Sequence, residues 1–183
     1  TVQNSTLIPA IDFTDITGSD GVLTIVDAPP STEQYHITVS KNGFSTEQTY
    51  LPDAPSNPNP VKPHITIVAN TVSQSTFAID ATSTVVLHVQ SAQCSAITGV
   101  TGSLIGTKLV GTSPAVIKNT TPYTASSASN TLSGIEWDTY ALTLNGTSYD
   151  IAGTNPVFPL SITPGSNQEV TLTLKPAASG SRL

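Results

Sequence analysis

The feature that most limits how this chain can fold is an alternation of aliphatic and polar residues with a period of two. Six short runs show it, mostly with Thr between Val, Ile or Leu, and turn-forming residues lie between them. Such alternation gives a β-strand one buried and one solvated face, as in an antiparallel sheet. The runs that we predict to be strands are Val22–Val26, Tyr35–Val39, Ile65–Val68, Val85–Val89, Tyr140–Leu144 and Val170–Leu174.

Helices are disfavoured along the whole chain. No window keeps the 3.6-residue period of an amphipathic helix, and 14 prolines are spread through the sequence. These observations predict an all-β fold of antiparallel β-sandwiches rather than a single barrel. The turn signals between the runs are Asp20-Gly21, Asn42-Gly43, Asn145-Gly146 and Pro164-Gly165.

The sequence also repeats itself. Tyr35 opens the run Tyr-His-Ile-Thr-Val, and Tyr140 opens the similar run Tyr-Ala-Leu-Thr-Leu, 105 residues later. Each Tyr is followed after nine residues by another aromatic residue, Phe44 in the first copy and Tyr149 in the second. A repeat of this kind indicates two copies of one folding module.

A second match places the boundary between the modules. The Asn-Pro-Val stretch at Asn59 returns at Asn155, 96 residues later, so the first copy carries nine extra residues. They fall around the Pro-rich stretch Leu51–Pro58, which we expect to be an extended loop. We therefore predict two tandem β-sandwich modules, residues 1–80 and residues 81–183.

The first module is expected to lack its opening strand. The second module has the run Val85–Val89 ahead of Tyr140, and no counterpart of that run precedes Tyr35. Either the sequence is a piece of a longer chain, or a neighbouring chain supplies the strand, because an open sheet edge invites pairing. Thr1 in place of Met agrees with a removed leader or a longer parent protein.

Composition argues against several classes of function. Six Lys and Arg against twelve Asp and Glu cannot form a phosphate-binding stripe, so we expect no nucleic-acid partner. No run approaches the ~18 apolar residues that a membrane helix needs, so we expect no membrane insertion by this segment. Ser and Thr make up 51 of the 183 residues and only 10% are charged, which favours an extracellular or cell-surface location.

Short motifs follow the same order as in a known module. They are Thr17–Leu23 with its Asp-Gly turn, Ala28–Pro30, Tyr35–Val39 and Asn42–Phe44 in the first copy, and Ala96–Val100 and Trp137–Tyr140 in the second. Together they resemble the carboxypeptidase regulatory-like, or prealbumin-like, module. The resemblance implies a seven-stranded immunoglobulin-like β-sandwich that serves extracellular proteins as a spacer, adhesive or accessory domain and has no catalytic residue. Trp137–Tyr140 and Asp150–Pro156 are also similar to outer portions of prepilin-like bacterial surface proteins.

Three acids near the start of the chain, Asp12, Asp15 and Asp20, are the candidates for a metal site. Ca²⁺ is bound by several carboxylate and carbonyl oxygens, but the spacing of these acids is not that of an EF-hand loop. The alternative is that Asp20 shapes its Asp-Gly turn and that the other acids are solvated. We expect no metal and no other cofactor.

Trp137 and Tyr149 are the candidates for ligand binding, because aromatic rings can stack on a sugar ring. The alternative places Trp137 in the core, as a plug between two sheets. An exposed, coplanar set of Trp137, Tyr149, Tyr140 and Tyr123 would favour glycan binding, whereas burial would favour a spacer role.

Three sequons for N-glycosylation begin at Asn4, Asn119 and Asn145. The lone Cys94 is expected to be a buried or partly covered thiol, with dimerisation as the alternative.

The three histidines, His36, His64 and His88, are expected to lie within strands and to point to the solvated face. No serine elbow or cysteine pair accompanies them, so no catalytic residue is predicted.

Taken together, these patterns predict a non-catalytic structural or adhesive module of a cell-surface or pilus-associated protein. Its partners would be other protein chains or neighbouring domains of the same surface protein, with glycan as a further candidate. Two alternatives stay open: a carbohydrate-binding accessory module of a secreted hydrolase, and a filament subunit completed by donor-strand exchange.

Overall fold

The computed structural model describes residues 1–52, 54–55 and 57–177, and in this part of the chain it contains β-strands and no helix. The all-β prediction is therefore confirmed. No helix of the described residues is long and apolar enough to cross a bilayer. The strands are β1 (Val2–Asn4), β2 (Ile11–Phe13), β3 (Ser31–Val39), β4 (Glu47–Gln48), β5 (Ile65–Ile67), β6 (Ser83–Ser91), β7 (Val100–Ile105), β8 (Leu109–Val110), β9 (Val116–Ile117), β10 (Thr120–Ala125), β11 (Asn130–Ile135), β12 (Asp138–Leu144), β13 (Tyr149–Asn155), β14 (Leu160–Ile162) and β15 (Asn167–Pro176).

Five of the six predicted runs lie in strands, in β3, β5, β6, β12 and β15. The prediction for Val22–Val26 is wrong, because this stretch forms no strand. Its apolar side chains Val22, Ile25 and Val26 are exposed instead of packed. The glycines of the four predicted turns, Gly21, Gly43, Gly146 and Gly165, all have positive φ, as tight turns require.

The contacts within the chain divide it into two compact units. Unit 1 consists of Thr1–Asn42, Thr46–Ile79 and Leu109–Val116. Unit 2 consists of Gly43–Ser45, Asp80–Lys108 and Ile117–Leu183. The modules 1–80 and 81–183 stay a prediction. Residues 43–45 of the predicted first module belong to unit 2, and residues 109–116 of the predicted second module belong to unit 1.

Unit 2 is a β-sandwich. One sheet has the strand order β10-β7-β12-β14, and the other has the order β11-β6-β15-β13. Alternate residues of both sheets enter one hydrophobic core, so the two sheets pack face to face. The buried members of this core are Val85, Leu87, Val89, Val100, Leu104, Tyr123, Ala125, Ile135, Tyr140, Leu160, Ile162, Val170, Leu172 and Leu174.

One pair of strands in unit 2 departs from the predicted antiparallel arrangement. β6 and β15 run parallel over eight residue pairs, from Thr84 opposite Asn167 to Ser91 opposite Leu174. The other strand pairs of the sandwich are antiparallel. The first and the last strand of unit 2 are therefore hydrogen-bonded neighbours that point the same way.

Unit 1 contains a sheet with the order β2-β1-β3, and β4 and β5 pair with the other edge of β3. The order β2-β1-β3-β5 corresponds strand for strand to β10-β7-β12-β14 of unit 2. Unit 1 has very little core, because Val2 and Tyr35 are its only buried Val, Ile, Leu, Phe or Tyr side chains among the described residues.

The two Tyr residues of the repeat have matching neighbours. Tyr35 of β3 pairs with Ile65 of β5, and Tyr140 of β12 pairs with Leu160 of β14. Ile65 and Leu160 are 95 residues apart, so the spacing of 96 inferred from the Asn-Pro-Val match is one residue too long. The difference matters, because a shift of one residue moves every side chain of a strand to the opposite face.

The turns that follow these two strands support the spacing of 95. The Thr71 amide donates to the Val68 carbonyl at 3.3 Å, and the Ser166 amide donates to the Thr163 carbonyl at the same distance. The turn residues Asn70 and Gly165 are both left-handed, with φ of 59° and 66°. The same backbone path is thus built twice, once with Asn and once with Gly, the two residues that tolerate this region best.

Candidate functional site

Asp138 is the centre of the polar cluster at the start of β12. It is 5% exposed, and its carboxylate accepts hydrogen bonds from four residues. The donors are the Thr107 amide and hydroxyl at 3.1 and 2.9 Å, the Lys108 amide at 3.2 and 3.1 Å to the two oxygens, the Asn119 side-chain amide at 3.0 Å and the Thr139 amide at 2.7 Å. These bonds join the end of β7, the residue before β10 and the start of β12.

The hydrogen bonds decide the ionisation state of this carboxylate. Burial alone would raise the pKa of Asp138, but the donors on Asn119, Lys108, Thr139 and Thr107 outweigh it and hold the pKa below its usual value. The group is therefore ionised at neutral pH, and its acceptor positions are occupied by protein donors. Asp138 consequently holds neighbouring loops together through its hydrogen bonds, rather than acting as a proton donor or acceptor.

Gly106 leaves the space that this cluster needs. A Cβ added at Gly106 would meet the Asp138 carboxylate directly and would lie 3.1 Å from the Asn119 Cβ. A larger residue here would push apart the groups that bind the carboxylate.

Trp137 lies beside the cluster and is not the core plug that the sequence suggested. It is 42% exposed, and its indole Nε1 donates to the Asp80 carboxylate at 2.6 Å. The Lys108 ammonium lies over the face of the ring. The orientation follows from strand alternation: Asp138 and Tyr140 point inward, so Trp137 points outward.

Other charged groups surround Trp137. Lys118 and Glu136 form an ion pair with an Nζ to Oε2 distance of 3.0 Å. Burial lowers the pKa of Lys108, Lys118 adds to this effect, and the acids Asp138, Glu136 and Asp80 oppose it. The pKa of Lys108 is thus set by opposing effects, in which burial and Lys118 outweigh the three neighbouring acids.

The aromatic residues do not form a shared stacking platform. Tyr140 and Tyr123 are buried, and burial raises the pKa of Tyr123 to about 12. Tyr149 is half-buried and lines a cleft of about 120 Å³ together with Asn145. This volume is below the roughly 300 Å³ at which small-molecule sites begin.

The structure does not bring the three metal candidates together. The Asp12 carboxylate accepts from Gln3, that of Asp15 from the next amide, and that of Asp20 from the Val22 amide within its turn. Across residues 1–52, 54–55 and 57–177, no group of three His, Cys, Asp or Glu side chains is placed to hold a metal ion.

The three sequons lie in different surroundings. Asn145 is exposed in the turn that follows β12. Asn4 is 1% exposed and accepts from the Thr6 amide and hydroxyl, while Asn119 is 8% exposed and bonded to Asp138. In the folded chain, Asn145 is thus the accessible acceptor of the three.

The expectations for Cys94 and His64 are wrong. Cys94 is exposed, in a tight turn after β6 where it has a φ of 59°. His64 lies just before β5, is 9% exposed and shares a hydrogen bond of 2.9 Å between its Nδ1 and the Thr49 hydroxyl. Its ring is 5.0 Å from that of His36, and burial followed by the charge of His36 lowers the pKa of His64.

Sequence reasoning missed the role of Asp138. The signal was available, because Asp138 alternates with Tyr140 and Leu142, which places an acid on the inward face of a strand.

Comparisons with protein-family models, with curated proteins and with solved structures give no match.

Proposed function

We propose that this chain is a non-catalytic structural module of an extracellular or cell-surface protein, of the kind that spaces or anchors other chains. In this proposal unit 2 carries mechanical load. The observation that supports it most directly is the parallel pairing of β6 with β15, the first and the last strand of the unit.

Parallel terminal strands resist pulling in a particular way. A force applied to the start of β6 and to the end of β15 slides the two strands past each other. Sliding loads all the hydrogen bonds between them at once, whereas peeling would load them one after another. Eight residue pairs share this load, and Leu87, Val89, Val170 and Leu172 bury their side chains along it.

The Asp138 cluster supports the same role. Its hydrogen bonds occupy the carboxylate and hold loops in place, and Gly106 provides the room for them. Such a cluster stiffens one end of the sandwich instead of leaving an open, reactive group.

A role in glycan binding has weaker support. Trp137 is the exposed member of the aromatic set, and Lys108 covers a face of its ring. Tyr140 and Tyr123, which a coplanar platform would need at the surface, are buried.

Single-molecule pulling tests the load-bearing role. In a Cys94→Ser background of the full chain, cysteines replacing Ala81 and Ala177 allow unit 2 to be pulled from opposite ends of the β6–β15 pair. Cysteines replacing Ala92 and Ala177 pull the same pair from one end, as a matched control. We expect unfolding forces at least about twofold higher in the first geometry, because forced unfolding follows the barrier along the pulling direction. Equal forces in both geometries would contradict the proposal.

A further inference from the structure

The turn between β12 and β13 contains Asn145-Gly146, and the chain has a second Asn-Gly pair at Asn42-Gly43. The side-chain amide of an Asn can be attacked by the backbone nitrogen of the next residue. A Gly in that place leaves the nitrogen unshielded, because Gly has no Cβ. Whether the attack occurs in a folded chain depends on how each turn holds the reacting atoms. The two pairs therefore allow a comparison within one molecule.

The turn at Asn145 is open. Asn145 and Gly146 are both exposed, and residues 145–148 connect the two strands without belonging to either. A Cβ added at Gly146 would meet nothing within 4 Å. Gly146 has a φ of 89°, which Gly adopts without strain. The side chain and the nitrogen that would react are thus both accessible to solvent.

The attacking nitrogen is not engaged elsewhere. Among the described residues, the backbone of Gly146 and Thr147 makes no hydrogen bond, and neither does the side chain of Asn145. Asn145 is held on its other side, where its own amide donates to the Thr101 carbonyl at 2.8 Å. This bond fixes the residue that carries the electrophilic Cγ and leaves the peptide that follows it free to rotate.

The pair Asn42-Gly43 is held directly after its glycine nitrogen. The Gly43 carbonyl accepts from the Thr82 amide at 2.9 Å and from the Thr82 hydroxyl at 3.2 Å. Phe44 in addition forms an antiparallel β-bridge with Ala81. These contacts restrain the peptide that would have to rotate before the Gly43 nitrogen could reach the Asn42 side chain.

We propose that Asn145 is a site of spontaneous deamidation, with water as the co-reactant, and that the fold protects Asn42. The Gly146 nitrogen gives up its proton to solvent and forms a bond to Cγ of Asn145. The bond from Cγ to Nδ2 breaks, and ammonia leaves with a proton taken from solvent. Water then opens the cyclic imide. Opening at Cγ gives Asp, and opening at the main-chain carbonyl gives isoaspartate, in which the backbone runs through Cβ and Cγ.

The reaction changes what this turn presents to its surroundings. Either product places a carboxylate beside the cleft that Val100, Leu144 and Tyr149 line. Either product also removes the amide that N-glycosylation needs, so glycan and acid exclude each other at Asn145. Isoaspartate in addition lengthens the main chain between Asn145 and β13. This inference concerns one turn and does not depend on load bearing by unit 2.

Ageing of the full chain tests this inference. The protein is incubated at mildly alkaline pH and digested at acidic pH, and mass spectrometry measures the amide and acid forms of the peptides that contain Asn145 and Asn42. In the folded chain, we expect Asn145 to convert at least about tenfold faster than Asn42. In guanidinium chloride, where neither turn is formed, the two rates should agree within about threefold. Chromatography against synthetic peptides separates isoaspartate from Asp, and both products are expected.

Variants identify the attacking group. Gly146→Asp introduces a residue that tolerates positive φ, but it places a side chain beside the nitrogen, so conversion of Asn145 should slow at least about tenfold. Thr147→Ala is the matched control in the same turn. It removes the sequon and leaves the Gly146 nitrogen unshielded, so the rate should stay unchanged.

The comparison of folded and unfolded chain uses the native sequence and does not depend on how the variants fold. The inference is overturned if Asn145 keeps its amide as the folded chain ages. It is also overturned if the ratio of the two rates is the same in folded and unfolded chain, since the turns would then have no influence. Conversion of Asn145 in Gly146→Asp as fast as in the native chain would exclude the Gly146 nitrogen as the attacking group and would overturn it as well.

Discussion

The hydroxyl of Tyr140 donates a hydrogen bond of 2.8 Å to the carbonyl oxygen of Glu136, four residues earlier in the chain. The hydroxyl of Tyr35 donates to the carbonyl of Pro29, also at 2.8 Å. Each Tyr is buried in an inner strand of its sheet, and each hydroxyl fixes the chain segment that leads into that strand. The two copies of the repeat thus share a polar contact as well as a strand order.

Removing the Tyr140 hydroxyl is expected to destabilise unit 2. Tyr140→Phe leaves the Glu136 carbonyl without this donor, which costs about 1–2 kcal/mol in the free energy of unfolding. Trp137 is the sole Trp of the chain and lies in unit 2, so its fluorescence during urea unfolding reports on this unit. Tyr149→Phe, at a half-buried position, is the matched control and is expected to change little. Similar losses of unfolding free energy in both variants would show that the hydrogen bond from Tyr140 to Glu136 does not stabilise unit 2 in particular.

The Asp138 cluster predicts a larger loss. Asp138→Asn keeps the size of the side chain, but it removes the charge and turns an NH2 donor towards groups that themselves donate, so we expect a loss of about 2–4 kcal/mol. Glu169→Gln, at an exposed position of the same unit, is the control. Urea unfolding followed by Trp137 fluorescence measures the stability of both variants. A loss in Asp138→Asn that is smaller than the loss in Glu169→Gln would contradict the stabilising role assigned to Asp138.

Acid should destabilise unit 2 through the same group. Because the folded pKa of Asp138 lies below its ordinary value of 3.8, the stabilisation is present above that pH and is lost as the pH falls through the folded pKa. The unfolding free energy of the native chain should therefore fall more steeply below about pH 4 than that of Asp138→Asn. Parallel curves for the two proteins would be the contrary result.

Gly106 should not tolerate a side chain. Gly106→Ala places a Cβ against the Asp138 carboxylate, and we expect a loss of about 1–3 kcal/mol from the overpacking. Gly153→Ala is the matched control, because a Cβ there would meet nothing within 4 Å. In thermal unfolding, Gly106→Ala should melt at a lower temperature than Gly153→Ala. Equal melting temperatures would contradict the predicted clash between the added Cβ and the Asp138 carboxylate.

His64 predicts a pH dependence in unit 1. Its folded pKa is lowered from 6.5 by burial and by His36, so the unfolded chain takes up the proton first as the pH falls. The stability of unit 1 should be unaffected above about pH 6.5, should decrease below it, and should level off once the folded pKa is passed. Hydrogen exchange of the β3 amides follows this unit, with His64→Gln expected to flatten the profile and His88→Gln to leave it unchanged. A profile that survives His64→Gln would assign the effect to another group.

Much of the fold could be predicted because its signals are local. The alternation in Tyr140–Leu144 and Val170–Leu174 depends only on neighbouring residues, and both stretches form strands as predicted. Val22–Val26 has the same local pattern and fails, because a strand also needs a partner that pairs with it.

The candidate site was harder to predict, because it depends on residues far apart in the sequence. Asp138 obtains its hydrogen bonds from residues 19 to 31 positions earlier as well as from Thr139. The size of Trp137 and its position between Ile135 and Tyr140 suggest a place in the core, although its position next to the inward-facing Asp138 and three residues before Tyr140 directs it outward. Cys94 is expected on residue type to be buried or partly covered, whereas its turn places it at the surface.

The parallel course of β6 and β15 also has a consequence for length. The polypeptide enters unit 2 at one end of the β6–β15 pair and leaves it at the opposite end, since both strands advance in the same direction. Eight registered residues at about 3.3 Å each separate those points by roughly 25 Å. A string of such sandwiches would gain reach with every unit added, whereas one with antiparallel outer strands would fold back on itself.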